Sequence, residues 1–584
     1  MSAVVTSTAI TTNALAWETL APGRTHGPAA EAAALRALLA APDAPDLTDR
    51  IAIARQRWPD DLGIQLAQGG WLERIGQPDA AEACYRAALD RHPANPWPDV
   101  RLAELFLRQR RGMEAAALVA TRIWSGTAPE ATRISLLSRA LLAHRETAAR
   151  RDFLSSLLRG VPDDRFVLLK LAALRFRARD RQEAERLFAA ARELGPLPME
   201  SQLLELELHL VAARFEEAYR LACALHARSP ERPDFARRAI QAAHFSGRVP
   251  EMVALLESAL RRWPRDWLLV FRYNRCTIPF TADRELYDIL AEQAAATAGD
   301  ERWQFQFAVA GLRHGDVARA TAIIDAVSPA GPVAGMAMPL RATLNAYPPG
   351  TWNNPRGVSN DPAKDMQVVG TPNAIATVIV LAGVQGGLGY LPFSLTDGLL
   401  MRRPINVIYL RDLNSRAFTS GVRRFGPDQA AMITGLQTLC GSLGVPVVTM
   451  GASVGGVAAI RTAALMRAHA AISFAGDIRY GADAGDDGLA PASAGARTAM
   501  FSTFTEAEFD IVALIRSAPR TRVHQCFGAD YAPDREAAAL LRDVPNAVLH
   551  PVPGCADHFA IEHMIANGRF FTVLDQAIAT PAPP

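Results

Sequence analysis

Proline returns through the first half of this chain at positions 59, 93, 129, 162, 196, 230 and 264, at intervals of 33 to 36 residues. Each stands where one helical pattern stops and the next begins. Proline ends a helix because it lacks an N–H donor and its ring clashes with the preceding turn. A breaker at this interval leaves room for two helices of roughly three to four turns with short connections. No single unit of that size buries its own apolar face, so the units have to stack on one another. Over this half the chain is held to a stack of helix pairs.

Small and aromatic residues recur at fixed offsets inside the units. One carries Gly69, Leu72, Ala81, Tyr85, Ala88 and Pro93; another carries Leu171, Ala184, Phe188, Ala191 and Pro196. Alanine lets two helices approach closely, and the aromatic fills the groove between them. The period and the offsets resemble the tetratricopeptide (TPR) repeat, from about Pro59 to Pro264. The units before Pro129 and Pro162 lack the aromatic. Residues 298–328 read as one more helix pair, with Gly315-Asp-Val-Ala-Arg-Ala opening its second helix and Ser328-Pro329 closing it. Residues 1–50 read as a tail with a leading helix at Ala29–Ala41, and 51–328 as the repeats. The resemblance implies an all-α superhelix that offers a face to a protein partner or drives self-association. The bland alternative is a brace for the second half.

At 584 residues the chain is too long for one core. Hydrophobic residues make up 49%, as in globular proteins. A net charge of +2 argues against a nucleic-acid or anionic-membrane binder. Lysine occurs only at Lys170 and Lys364, so the arginine-rich, alanine-rich composition reads as coding bias. The six cysteines form no Cys-x-x-Cys pair, which points to reduced thiols and to no metal or cofactor. No basic residue precedes Arg24, so a secretory signal is not expected. There is no uncharged apolar run long enough to span a bilayer. These features lead to the expectation of a cytoplasmic protein without a transmembrane segment.

Composition shifts after Ser328. Residues 329–365 carry Pro-Ala-Gly-Pro, Tyr-Pro-Pro-Gly and Asn-Asn-Pro-Arg-Gly and read as a linker. Over 366–584, apolar runs alternate with helical patterns: Ala376–Leu381, Ile405–Leu410, Val445–Met450, Ala471–Phe474, Val523–Phe527 and Ala547–Val552. Continuous apolar runs suit strands buried on both faces, and the alternation predicts a doubly wound, mostly parallel α/β domain. Two weaker strands are expected at Met336–Leu344, confined to an edge by Pro339, and at Met366–Val369.

One short motif in this half points to chemistry. Gly451-Ala-Ser453-Val-Gly455 follows a strand pattern and precedes an alanine-rich helix pattern. A sharp strand–turn–helix lifts a serine hydroxyl out of the sheet, and the glycines let neighbouring backbone pass. A serine nucleophile needs a base, and the base needs an orienting acid. His558 follows the last strand, in Gly554-Cys-Ala-Asp-His558-Phe, and is the candidate base. His550 lies within a strand and His563 on the next helix, so both fit worse. The order of serine, acidic loop and histidine resembles the α/β-hydrolase family over about residues 365–575. The segment Tyr409-Leu-Arg411-Asp412-Leu-Asn, continuing to Phe418-Thr-Ser-Gly421, is similar to a motif in hydrolase-like proteins encoded with bacterial polysaccharide genes. The hydrolase resemblance implies a triad acid after the fifth strong strand. Asp530 and Asp534 are both candidates, with Asp534 also readable as a helix N-cap. It implies an oxyanion hole from the N–H of Val454 and that of Val384 or Gln385, in the glycine-rich loop after Leu381. A cap over the site is expected within 477–520, with Asp477–Tyr480 and 481–488 mobile and Phe501–Ile515 helical. Arg411 and Asp412 read as a structural ion pair, with lining of the substrate pocket as the alternative; Asp557 reads as structural, and His558, Glu562 and His563 as too widely spaced for a zinc motif.

Three functions follow as expectations. The first is a serine esterase or deacylase acting on a small acyl ester or acylated glycan. The second is an acyltransferase to a sugar or protein. The third is a non-catalytic TPR adaptor carrying a degenerate hydrolase module.

Overall fold

The computed structural model describes residues 27–41, 47–143, 147–178, 180–212, 214–478 and 510–579. The chain divides into two compact units, Met1–Ser201 and Gln202–Pro584.

In the first unit the helices Leu62–Arg74 and Pro78–Arg91 form one repeat. Asp61 starts the first by accepting from the Ile64 N–H, and Pro78 opens the second, where a missing N–H does no harm. Ala81, Tyr85 and Ala88 are buried between them. The Tyr85 ring lies against Gly69, where a Cβ would come within 2.2 Å of it, so only glycine fits. A second repeat pairs Arg165–Arg177 with Arg181–Glu193, capped by Asp164 and Asp180. The unit before Pro129 is the irregular one. Thr121 stands at the aromatic's offset, and residues Val119–Ile123 form a π-helical turn. The leading helix is present at Pro28–Ala40.

The second unit begins with more helix pairs, among them Pro233–Phe245, Val249–Arg262, Trp267–Tyr273 and Phe280–Gln293. The pair expected at 298–328 is Glu301–Arg313 with Val317–Asp325. The expected edge strand at Met336–Leu344 is instead a helix, Ala334–Asn345, with Pro339 inside it. Its alternating methionines mimic a strand. It buries Ala337, Pro339, Leu340, Thr343 and Leu344, and of these Ala337, Leu340 and Leu344, at helical spacing, pack into the core on one face of the sheet.

The sheet has seven strands: β1 (Met366–Val369), β2 (Ala376–Leu381), β3 (Ile405–Leu410), β4 (Val447–Ala452), β5 (Ala470–Phe474), β6 (Arg522–Gly528) and β7 (Ala547–Val552). Their order is β1-β3-β2-β4-β5-β6-β7. Only β1 is antiparallel to its neighbour. Successive side chains of a strand enter opposite faces. Val378 and Val380 join one core with Leu340, Leu399 and Phe570, while Ile379 and Leu381 join the other with Leu436 and Ile460. The helix after β2, Phe393–Leu400, covers the first face. Those after β3 and β4, Gln429–Leu443 and Val454–Met466, cover the second. The chain therefore leaves the adjacent strands β2 and β4 toward opposite faces. A crevice at the carboxyl ends of two such strands is where open α/β sheets bind ligands.

Candidate active site

Ser453 closes β4 in that crevice. Its backbone is at φ 54° and ψ −119°, a conformation that is strained for a residue with a Cβ. The turn holds because Ser453 N donates to Phe474 O at 2.8 Å and because both flanking glycines are tightly enclosed. A Cβ on Gly451 would lie 2.0 Å from the Gly455 carbonyl oxygen, and one on Gly455 would lie 2.4 Å from that of Leu381. The helix Val454–Met466 starts at once, so its positive N-terminal end faces any charge that develops beside Ser453.

The loop after β7 brings His558 to the serine. His558 Nε2 is 3.0 Å from Ser453 Oγ, and Nδ1 is 2.9 and 3.0 Å from the two oxygens of Asp534. Asp534 is buried in the first turn of Ala532–Ala539 and caps nothing; the residue at the cap position is Tyr531. Asp530 faces elsewhere and accepts from Gly554 N at 2.9 Å. His550 pairs with His524 across β6 and β7 at 2.9 Å.

Three groups steady the histidine loop. Asp557 accepts from Phe559 N at 2.9 Å and meets His563 Nε2 at 3.3 Å. Burial alone would raise the Asp557 carboxyl, but these hydrogen bonds outweigh it and hold it below its ordinary value. Cys555 donates to Asp557 O at 3.3 Å, and burial pushes its thiol up to about 12. Cys555, Asp557 and His563 place possible ligand atoms within 4.8 Å of one another, the set among the described residues with that spacing. Their donors and acceptors are already engaged with one another. Glu562 lies fully buried beneath them, with Oε1 accepting from Tyr390 N at 2.8 Å. Burial pushes its carboxyl up to about 7.

Val384, Gln385 and Val454 line one cavity of about 60 Å³. Among the described residues, none of their backbone N–H groups donates to a protein acceptor. The same cavity is lined by Arg411 and Asp412, but these two do not form the expected ion pair. Arg411 donates to the carbonyls of Gly386, Lys364 and Ser359, and Asp412 accepts from the N–H groups of Asn414, Arg416 and Phe418. Their backbone neighbours outcompeted each other's side chains because Ser415, Ala417 and Phe418 take left-handed conformations that aim N–H groups at Asp412. His244, on Pro233–Phe245, supports this loop through a 2.9 Å contact between Nε2 and Ser415 Oγ. Part of the cavity wall escaped the sequence reading: Arg313 ends the helix Glu301–Arg313, and Asn274 and Arg275 lie in the turn after Trp267–Tyr273, all more than 60 residues before β2. No motif marks them. Of the expected cap, residues 479–509 lie outside the described residues, and its end is the helix Ile511–Ser517. No helix among the described residues is long and apolar enough to cross a membrane.

Residues 62–105 match the family model of the tetratricopeptide repeat. No curated protein sequence matches the chain. The chain is similar to the solved structure of PilF from Pseudomonas aeruginosa at 18% identity, covering 36% of this chain and 94% of that one, with a TM-score of 0.25. It is similar to a tetratricopeptide repeat protein from Parabacteroides merdae at 17% identity, over 45% and 97% of the two chains, with a TM-score of 0.25. It is also similar to a structure from a study of carboxylesterases of the thaumarchaeon Nitrososphaera gargenis, at 15% identity over 37% and 93%, with a TM-score of 0.25.

Proposed function

We propose that residues 366–584 form a serine hydrolase of the α/β-hydrolase type, an esterase or deacylase working through an acyl-enzyme. The observation that carries this reading is the run of hydrogen bonds from Ser453 through His558 to Asp534. In the reaction, Ser453 Oγ attacks the ester carbonyl carbon while its proton passes to His558 Nε2. The carbonyl π electrons move onto oxygen, which takes the N–H of Val454 and that of Val384 or Gln385. Collapse breaks the acyl C–O bond, and the alcohol leaves with the proton from His558. Water then attacks the acyl carbon, giving a proton to His558. Release of the acid returns that proton to Ser453. Asp534 accepts from Nδ1–H throughout, which fixes the tautomer that keeps Nε2 basic.

The helical repeats at 51–328 are read as the surface for a protein partner, in keeping with the tetratricopeptide match. A fluorophosphonate probe tests the chemistry directly. Stoichiometric labelling at Ser453, lost on heat unfolding, is the expected result. Folded wild-type protein that stays unlabelled at Ser453 overturns the reading.

A further inference from the structure

We propose that the cavity beside the oxyanion donors receives a carboxylate of the substrate, bound by Arg275 and Arg411. This names the substrate class of the hydrolase site above and rests on that reading.

Among the described residues, two of the cations lining the cavity are bonded to no carboxylate. Arg411 is 4% exposed and spends its guanidinium on three backbone carbonyls. Arg275 packs over the Phe271 ring at 3.6 Å, and its Nε is buried without an acceptor. Among the described residues neither forms an ion pair with a carboxylate. Burial lowers Arg275 to about 10 and Arg411 to about 9, the direction expected of cations that are poorly solvated and poorly paired. Arg313, on the same wall, shows the satisfied case. It donates to the buried Asp283 at 2.7 Å, although its own Nε also lacks an acceptor.

The acids nearby do not cancel this. Asp412 is turned onto the N–H groups of its own loop. Asp361 interacts with Arg411 only at a distance and offsets part of its charge. Arg275 is half-buried and Arg411 buried; a cation drawn out of water without a counter-charge is costly, and a carboxylate arriving between these two gains charge-assisted hydrogen bonds. Size agrees. A water needs about 10–15 Å³ of such space, so a cavity of about 60 Å³ takes a carboxylate and one or two carbons. Placement agrees too, because Val384, Gln385 and Val454 line the same cavity. The carboxylate therefore sits a few bonds from the reacting carbonyl, on its acyl or its alcohol side.

Two pairs of esters separate those sides. The 4-nitrophenyl monoester of glutaric acid is compared with 4-nitrophenyl butyrate, and 4-carboxyphenyl acetate with phenyl acetate. In one pair the wild type is expected to favour the carboxylate ester at least tenfold in kcat/KM. Arg275→Gln is expected to reduce that ratio at least tenfold, through KM. Arg275→Lys, which keeps the charge without the fork, retains part of it, whereas a loosened fold would lower both esters alike. A wild type that favours the neutral ester in both pairs overturns the proposal, as does a preference that survives Arg275→Gln.

A binding measurement on full-length Ser453→Ala stands apart from turnover. Glutarate is expected to raise its melting temperature, and to raise it less when Arg275→Gln is added. No shift, an equal shift in both proteins, or a shift with inorganic phosphate alone overturns the carboxylate pocket. If wild type turns over no ester and Ser453 stays unlabelled, the hydrolase reading fails, and the glutarate shift decides the pocket by itself.

Discussion

The repeat Leu62–Arg91 and the helix pair Glu301–Asp325 share one plan and use it differently. The helix Leu62–Arg74 buries one side only, Ile64, Gln65, Ala67, Gly69 and Leu72. Its Glu73 accepts from the Tyr85 hydroxyl and from Arg108, so its polar side closes on other helices of the same unit. The helix Glu301–Arg313 buries every residue from Phe305 to Leu312. Phe307 and Ala310 face the neighbouring repeats, while Phe305, Ala308 and Leu312 join the core of the sheet. A helix that is apolar all round has to be covered all round. The same helix pair thus packs on other helices of its unit in one place and is built into an α/β domain in the other, where the last residue of its first helix, Arg313, becomes cavity wall.

The largest test of that contrast lies in the second unit. Ser453→Ala is expected to lower kcat about 10⁴- to 10⁶-fold, with an unchanged melting temperature; residual turnover above that would place the chemistry elsewhere. Next comes the choice of acid. Asp534→Asn leaves the geometry but favours the wrong imidazole tautomer, an effect of about 10⁴-fold in kcat. Asp530→Asn touches only the Gly554 N–H and should stay within tenfold of wild type. Equal losses in the two variants would break the assignment.

A matched pair of core truncations comes third. Tyr85→Ala and Phe305→Ala each remove a buried ring and should destabilise by about 3–5 kcal/mol. Tyr85 belongs to the first unit, so its loss should melt that unit early in calorimetry and leave ester turnover within twofold. Phe305 meets Tyr390 at 5.4 Å, and Tyr390 meets Phe559, beside His558, at 5.2 Å. Its loss should therefore also lower kcat. If Tyr85→Ala costs as much activity as Phe305→Ala, the two regions are not separate.

The smallest effect is a pH slope. The Glu562 carboxyl is raised to about 7 in the fold, against about 4.3 in an unfolded chain. Folded protein therefore binds a proton that unfolded protein has released. The stabilisation is complete below about pH 4 and is lost as pH rises through about 7. Its size is at most on the order of 4 kcal/mol. Glu562→Gln keeps an acceptor for the Tyr390 N–H and should flatten urea-unfolding stability across this window. A slope identical to wild type would exclude Glu562 as its source.

Residues that act on their immediate neighbours were legible early. Pro93 and Pro196 end helices, Gly69 admits Tyr85, and Gly451 and Gly455 admit the turn at Ser453. The cap reading of Asp534 failed because its carboxylate is claimed by His558, 24 residues away. Met336–Leu344 misled because an alternating pattern matches a strand until a helix-shaped gap is available to fill.

The amino-acid order alone determined the helix-pair repeat, the six strong strands and the serine–histidine order, since each depends on spacing along the chain. Tertiary structure alone put Asp534 against His558 and Asp530 against the Gly554 N–H, separated Arg411 from Asp412, and brought Arg275 and Arg313 to the cavity lined by Val384 and Gln385. The reason is physical. Apolar periodicity records which face of an element leaves water, whereas a charged side chain takes whichever partner the closed fold puts within about 3 Å of it, and no spacing in the sequence encodes that distance.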